Sequence, residues 1–369
     1  MTRRPAFRLL VAATTLLAGM AVAVPADAQA SVETVATGLD NPRGLAFGPD
    51  GHLYVAEAGR GGDGPCFVGP EGPSCFGLSG AVTRVNLKRG EQARVLTGLP
   101  SYAADGTGGT PAGSSAIGPM HIAFSGSSRF VTFGLGADPA LREQFPALAD
   151  MARVVRAQFM QNAWQNVADI GDFETAVDPN ADGPDSNPNG MIATGAGQVL
   201  ADSGGNSLLS VDRRGRVSTI ATFPNRDVPG PGGAPFSMDA VPTSVVTGPD
   251  GAYYVSQLTG FPFPVGGANI YRVVPGQEPQ VWASGFTNIV DLAFAGNGDL
   301  LVVEIATNGI LSGDFTGALK RVAPDGTVST ILSDGLFAPY GIAVQGDNAY
   351  VSNCGICAGG GEVLRIGIA

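Results

Sequence analysis

Residues 41–57 read NPRGLAFGPDGHLYVAE, and this pattern decides the fold. Leu45, Phe47, Leu53 and Val55 alternate with smaller or polar residues on either side of GPDG, the pattern of two strands joined by a tight turn. The same shape returns as GPMHIAFSGSSRFVTFG from Gly118, NPNGMIATGAGQVLADSG from Asn187, VPTSVVTGPDGAYYVSQ from Val241, NIVDLAFAGNGDLLVVE from Asn288 and APYGIAVQGDNAYVSN from Ala338. Five of these six hairpins open with proline (Pro42, Pro119, Pro188, Pro242, Pro339), which a strand accepts at its first residue because no ladder donor is needed there. A repeat of this kind points to radial or solenoid architectures.

Each hairpin is followed by a third strand, from GAVTRVNL at Gly80 to GEVLRIGI at Gly361, and then in the first five units by a short turn and a fourth strand. Four antiparallel strands per unit describe propeller blades, so the sequence predicts an all-β, six-bladed β-propeller spanning residues 31–369. The sixth unit ends after its third strand. VETVATGL (Val32 to Leu39) matches the missing fourth, and pairing it there would close the ring and remove an exposed edge. Turns between first and second strands and between third and fourth strands are short, so one face is plain. Every long connection, including Ala58 to Ser79, Gly134 to Met151, Gly171 to Ser186, Pro224 to Ala240 and Cys354 to Gly360, falls on the other face, where function is expected. Asp138 followed by Pro139 starts one short helix in that face, with Leu141, Phe145 and Leu148 as the stripe that packs it down.

Composition agrees. The 369 residues include 55 Gly and 27 Pro with 14% charged residues, which favours short strands and turns over long helices. Residues 1–30 read as a signal peptide: Arg3, Arg4 and Arg8 precede the apolar run Leu9 to Val24, and Ala28-Gln29-Ala30 is a small-x-small cleavage site. The general secretion route is expected, because Phe7 sits one place late for a twin-arginine signal. The mature chain has no membrane-spanning run, and its 18 basic against 31 acidic residues disfavour nucleic acid and favour cations. Four cysteines in an exported chain predict two disulfides, Cys66 with Cys75 and Cys354 with Cys357; cross-pairing over the closed ring is the alternative.

The opening TGLDNPRGLAFGPDGHLYVAEAG, the segment GPCFVGPEGPSCFGLSGAVTRV, the middle ADIGDFETAVDPNADGPDSNPNG and the closing YVSNCGICAGGGEVLRI together resemble the ScyD/ScyE family of exported bacterial propellers, over nearly the whole mature chain. ETAVDPNADGPD stands where that family's pattern would carry an Asn-rich run. The resemblance implies the fold and an extracytoplasmic location, and it implies no settled reaction.

Two polar rings are expected at the decorated mouth of the channel. The ends of the second strands contribute Glu57, Asp202, Gln257, Glu304 and Asn353; the starts of the innermost strands contribute Arg43, His121, Asn189, Ser244, Asp291 and Tyr340. Converging acid and amide oxygens suit Ca²⁺, with Glu57, Asp202, Asp291, Glu304 and Asn353 as candidate ligands and Arg43, Asn189, Gln257 and Tyr340 as candidate ligand-binding residues. Of two histidines, His52 lies in a plain-face turn, which leaves His121 as candidate catalytic base. The leading expectation is a monomeric propeller that binds a small molecule, glycan or protein on its loop-rich face, around a Ca²⁺ ion. The alternative is a metal-dependent hydrolase of the lactonase or esterase kind.

Overall fold

The computed structural model describes residues 1–2, 30–69 and 72–369. The expected signal peptide lies outside the described residues, apart from its ends. Among those residues the chain is built from antiparallel sheets. Unit 1 contains Pro42–Phe47, Leu53–Glu57, Gly72–Asn86 and Glu91–Ala104, with Cys66–Gly69 added at one end; unit 2 contains Pro119–Ser125, Ser128–Phe133, Arg153–Gln158 and Ala163–Asp169. Units 3, 4 and 5 repeat the plan from Pro188–Thr194, Pro242–Thr247 and Ile289–Phe294. Unit 6 contains Ile342–Gln345, Asn348–Asn353 and Gly361–Gly367, and its fourth strand is Val32–Leu39, paired antiparallel with Gly361–Gly367.

The first strands touch one another in sequence order, and Ile342–Gln345 touches Pro42–Phe47 in turn. This is the architecture of a β-propeller. It explains a burial pattern that a single sheet would not give. Leu53–Glu57 and Leu300–Glu304 are buried at every residue, because each second strand has a neighbouring sheet on both faces, whereas the outer Gln280–Phe286 is largely solvent-facing. The core is therefore divided among the contacts between sheets. Val82, Leu96 and Leu99 of unit 1 meet Ile122, Val131 and Phe133 of unit 2, and Leu39 and Val363 meet Leu45, Leu53 and Val55 across the closure. Each such side chain, wholly buried, contributes roughly 1.5–3 kcal/mol.

The decorated face departs from expectation in its details. The helical segment arrives as Leu141–Gln144 and a 3-10 turn at Pro146–Leu148; Asp138 Oδ1 accepts the Ala140 N–H, and Leu141, Phe145 and Leu148 pack with Phe67, Tyr102 and Leu135. A second helix, Ile170–Val177, occupies what the sequence reading treated as loop. Asp169 starts it by accepting the Asp172 N–H at 2.9 Å, and Ile170, Phe173 and Val177 have helical spacing. The connection before unit 4 forms a two-stranded ribbon, Arg226–Pro229 with Pro235–Met238. The disulfides are Cys66–Cys75 and Cys354–Cys357, the local pairing. The second of these sits on the closure, where Cys357 O accepts the Asn41 N–H at 2.8 Å.

Candidate functional site

Three layers of side chains face the channel at the decorated end, and alternation along the strand decides which residues belong to each. Successive side chains on a strand point to opposite sides, so an error of one position moves a residue out of the site. The outermost expected ring is displaced in this way. Glu57, Asp202, Gln257, Glu304 and Asn353 are all buried and turn into their own sheets. Four of them hold an N–H in the segment leading into the first strand of the same unit: Glu57 accepts from Asp40 at 2.8 Å, Asp202 from Asn187 at 2.6 Å, Glu304 from Thr287 at 2.8 Å and Asn353 from Phe337 at 2.8 Å. Gln257 accepts instead from Asn269 N at 3.1 Å.

Their remaining oxygens are engaged as well. Glu57 takes Thr83 Oγ1 and both Arg94 Nε and a terminal Arg94 nitrogen, at 2.5, 3.0 and 2.6 Å. Glu304 is paired with Lys320 at 2.8 Å, and Asp202 accepts Ser186 Oγ at 2.8 Å. Burial pushes the Asp202 carboxyl up to about 6. These residues are brackets for the turn into each unit, and they do not fit a shared cation at the mouth. Among the described residues, no three Asp, Glu, His or Cys side chains converge closely enough to hold a metal ion as they stand.

The residues that follow the second strands take the place the acids were expected to fill. Ser203, Leu258 and Ile305 line a cavity of about 180 Å³ at the channel mouth. The second expected ring separates into two layers. The residue directly after each unit's opening position supplies Arg43, Met120, Asn189, Thr243, Val290 and Tyr340, and all six line this cavity. One residue further on stand Gly44, His121, Gly190, Ser244, Asp291 and Gly341, none of which lines it. Thus Arg43, Asn189 and Tyr340 are where the sequence reading put them, while His121, Ser244 and Asp291 lie one layer off.

The cavity floor is closed by contacts across the ring. Tyr340 of unit 6 reaches unit 3, accepting a hydrogen bond from Asn189 Nδ2 at 3.0 Å. The Arg43 guanidinium stacks over the Tyr340 ring at 4.3 Å and donates to Ala116 O at 2.6 Å. Above this polar floor the wall is mainly apolar: Ile117, Leu258, Ile305, Ile310, Phe315 and Ile356. A second hollow of about 630 Å³ shares Ser115, Phe315 and Ile356 with it and extends past Pro111 and Phe337. Phe337 is 46% exposed there. Ile356 is held between the two halves of the Cys354–Cys357 disulfide, which fixes its place in both walls.

In the adjoining layer, His121 packs against Gly44, where a Cβ would stand 2.1 Å from the imidazole Cδ2. Its Nδ1 is buried without a hydrogen-bond partner, and burial pulls the imidazole down to about 4. It is neutral at pH 7, and among the described residues no hydrogen bond to Nδ1 orients the ring. Asp291 accepts from Ser244 Oγ at 2.5 Å and from Ile342 N at 2.8 Å, and burial pushes its carboxyl up to about 6.

No protein-family model matches the chain, and no curated protein matches it. Solved structures do. A gluconolactonase from Xanthomonas campestris is 10% identical over 92% of this chain and 89% of its own, with a TM-score of 0.55. The calcium-binding protein regucalcin from Agrobacterium tumefaciens is 12% identical over 92% and 94%, with a TM-score of 0.53. The PQQ-bound aldose sugar dehydrogenase of Streptomyces coelicolor is 16% identical over 92% and 98%, with a TM-score of 0.52. At these identities the likeness is one of fold.

Proposed function

We propose that this chain is an exported, six-bladed β-propeller of the ScyD/ScyE type that binds an apolar small molecule at the mouth of its channel. The six sheets serve as blades, and their cyclic first-strand contacts support that count. The carrying observation is the continuous apolar surface formed by the mouth cavity and its neighbour, closed below by Arg43, Tyr340 and Asn189. Such a hollow, mainly apolar with a few fixed polar groups at one end, is the usual form of a small-molecule site. The two disulfides agree with an oxidising extracytoplasmic compartment. The hydrolase alternative draws no support from the mouth: its candidate metal ligands bracket backbone turns, and His121 faces Gly44.

The test is titration with anilinonaphthalene sulfonate, an anionic aromatic probe whose fluorescence rises when its rings enter an apolar site. One saturable site per chain is expected, lost in Phe315→Asp while that variant still melts cooperatively, and weakened when Cys354 and Cys357 are both replaced by Ser. Probe binding that is absent, unsaturable or unchanged in Phe315→Asp would overturn the proposal.

A further inference from the structure

The connection from unit 2 to unit 3 carries carboxylates that the channel does not use. From Arg156 to Arg213 there is no intervening Lys or Arg, yet the span holds Asp169, Asp172, Glu174, Asp178, Asp182, Asp185, Asp202 and Asp212. Asp169 and Asp172 pair with Arg142, and Asp212 pairs with Arg216. Among the described residues, Glu174, Asp178, Asp182 and Asp185 join no ion pair.

The helix Ile170–Val177 delivers Glu174 to this segment. Its last turn closes with the Asp178 N–H donating to Glu174 O at 2.8 Å, and Asp178 itself lies in the left-handed region, φ 42°. The Glu174 side chain is completely buried, and neither carboxylate oxygen receives a hydrogen bond. Burial first, and then the negative charges of Asp202, Asp178, Asp185 and Asp182, push its carboxyl up to about 8. A buried group in this condition is costly unless a cation or donor meets it.

The loop that follows supplies the rest. Asp178-Pro179-Asn180-Ala181-Asp182-Gly183 has the D-x-N-x-D-G spacing of calcium loops, in which the first, third and fifth side chains present oxygens and glycine makes the sharp turn. Gly183 has φ +106°, and its N–H donates to Asp178 Oδ2 at 3.2 Å. The other Asp178 oxygen, Asn180 Oδ1 and Asp185 Oδ1 are buried without a donor. Two glycines stand beside Asp185 and Glu174. A Cβ on Gly204 would stand 2.5 Å from Asp185 Oδ1, and one on Gly205 would stand 2.6 Å from Glu174 Oε2.

We propose that Glu174, Asp178, Asn180, Asp182 and Asp185 form a Ca²⁺ site in the connection between units 2 and 3, separate from the channel. The all-oxygen donor set suits a hard cation of six to eight ligands and lacks the nitrogen and sulfur that zinc favours. No three of the four carboxylates meet around one point in this structure, so the loop must close toward Glu174 for the ion to be held. Loops of this spacing end in a bidentate Glu at the twelfth position, which here is Asn189. Glu174, one turn before the loop, takes over that role from the other side.

The test uses the mature full-length protein, stripped with chelator and titrated with CaCl₂ or MgCl₂ by calorimetry and thermal melting. One Ca²⁺ per chain is expected, with a dissociation constant at or below about 1 mM, a raised melting temperature, and weaker Mg²⁺ binding. Glu174→Gln should weaken Ca²⁺ binding at least about tenfold, while in chelator it melts no lower than the parent because it replaces a carboxylate that no donor meets. Asp182→Asn, at an exposed position, repeats the affinity test without touching the core. No heat and no melting shift with millimolar Ca²⁺ in the folded parent would overturn the site. So would a Glu174→Gln protein that melts lower in chelator and keeps the full Ca²⁺ increment.

Discussion

Replacing Asp291 by Asn probes the centre of the ring through its pH dependence. Asp291 accepts hydrogen bonds from Ser244 of unit 4 at 2.5 Å, from Ile342 N of unit 6 at 2.8 Å and from its neighbour Leu292 N at 2.8 Å, so one carboxyl ties together three units. Burial raises its pKa from 3.8 to about 6. The folded state therefore holds a proton more tightly than the unfolded state does. The sign follows: this group's stabilisation is complete below about pH 4 and is lost as pH rises through about 6. The difference corresponds to about 3 kcal/mol between the two limits, as an order of magnitude. Asn has the same shape and does not titrate. Urea unfolding of parent and Asp291→Asn at about pH 4, 5, 6 and 7.5 should show the parent's advantage shrinking by about 3 kcal/mol across the series. An advantage that is constant with pH, or that grows as pH rises, would refute the reasoning, because the second outcome requires a carboxylate stabilised by the fold.

Deleting Ser31 to Leu39 should destabilise the entire domain, since it removes the strand paired with Gly361–Gly367 and exposes Val363 and Leu45; a truncated protein melting with the parent would contradict the closure. Gly44→Ala should cost at least about 1–3 kcal/mol by driving a methyl into His121, and Gly44→Ala combined with His121→Ala should recover much of it; additive losses in chemical denaturation would show that the two residues are not in contact.

The repeat was legible because alternation about a Gly/Asp turn is a local signal, and Pro42, Pro119, Pro188 and Pro242 do begin strands. The closure could be read from Val32–Leu39 because a unit short of one strand demands a partner. The mouth was harder. Glu57, Asp202, Glu304 and Asn353 stand next to the loops, and nothing local states whether the last side chain of a strand turns to the channel or back into its sheet. That choice is made by the unpaired N–H groups at Asp40, Asn187, Thr287 and Phe337, which become neighbours only after folding. The apolar wall was missed for the same reason, since Leu258 and Ile305 look like ordinary loop starts. The helix Ile170–Val177 had a visible signal in Asp169 and the spacing of Ile170, Phe173 and Val177, masked by a strand ending directly before it. The D-x-N-x-D-G spelling at Asp178 was equally visible, but its twelfth position is Asn189, and only the fold brings Glu174 to the same place.

The closing pair also fixes an order of events. Val32 pairs with Ile366, so the strand Val32–Leu39 has no partner until Gly361–Gly367 has been made. Contacts this far apart in sequence carry a large loop-closure entropy and slow the final docking. Earlier units can form hairpins and pack on their neighbours while the chain is still emerging. The strand from Val32 to Leu39 cannot, and a chain delivered N-terminus first would carry it as an unpaired edge throughout. Its exposed Glu33 and Thr34 give that waiting edge a charged and polar start, while Ala36 and Leu39 keep the apolar contacts for the partner that arrives last.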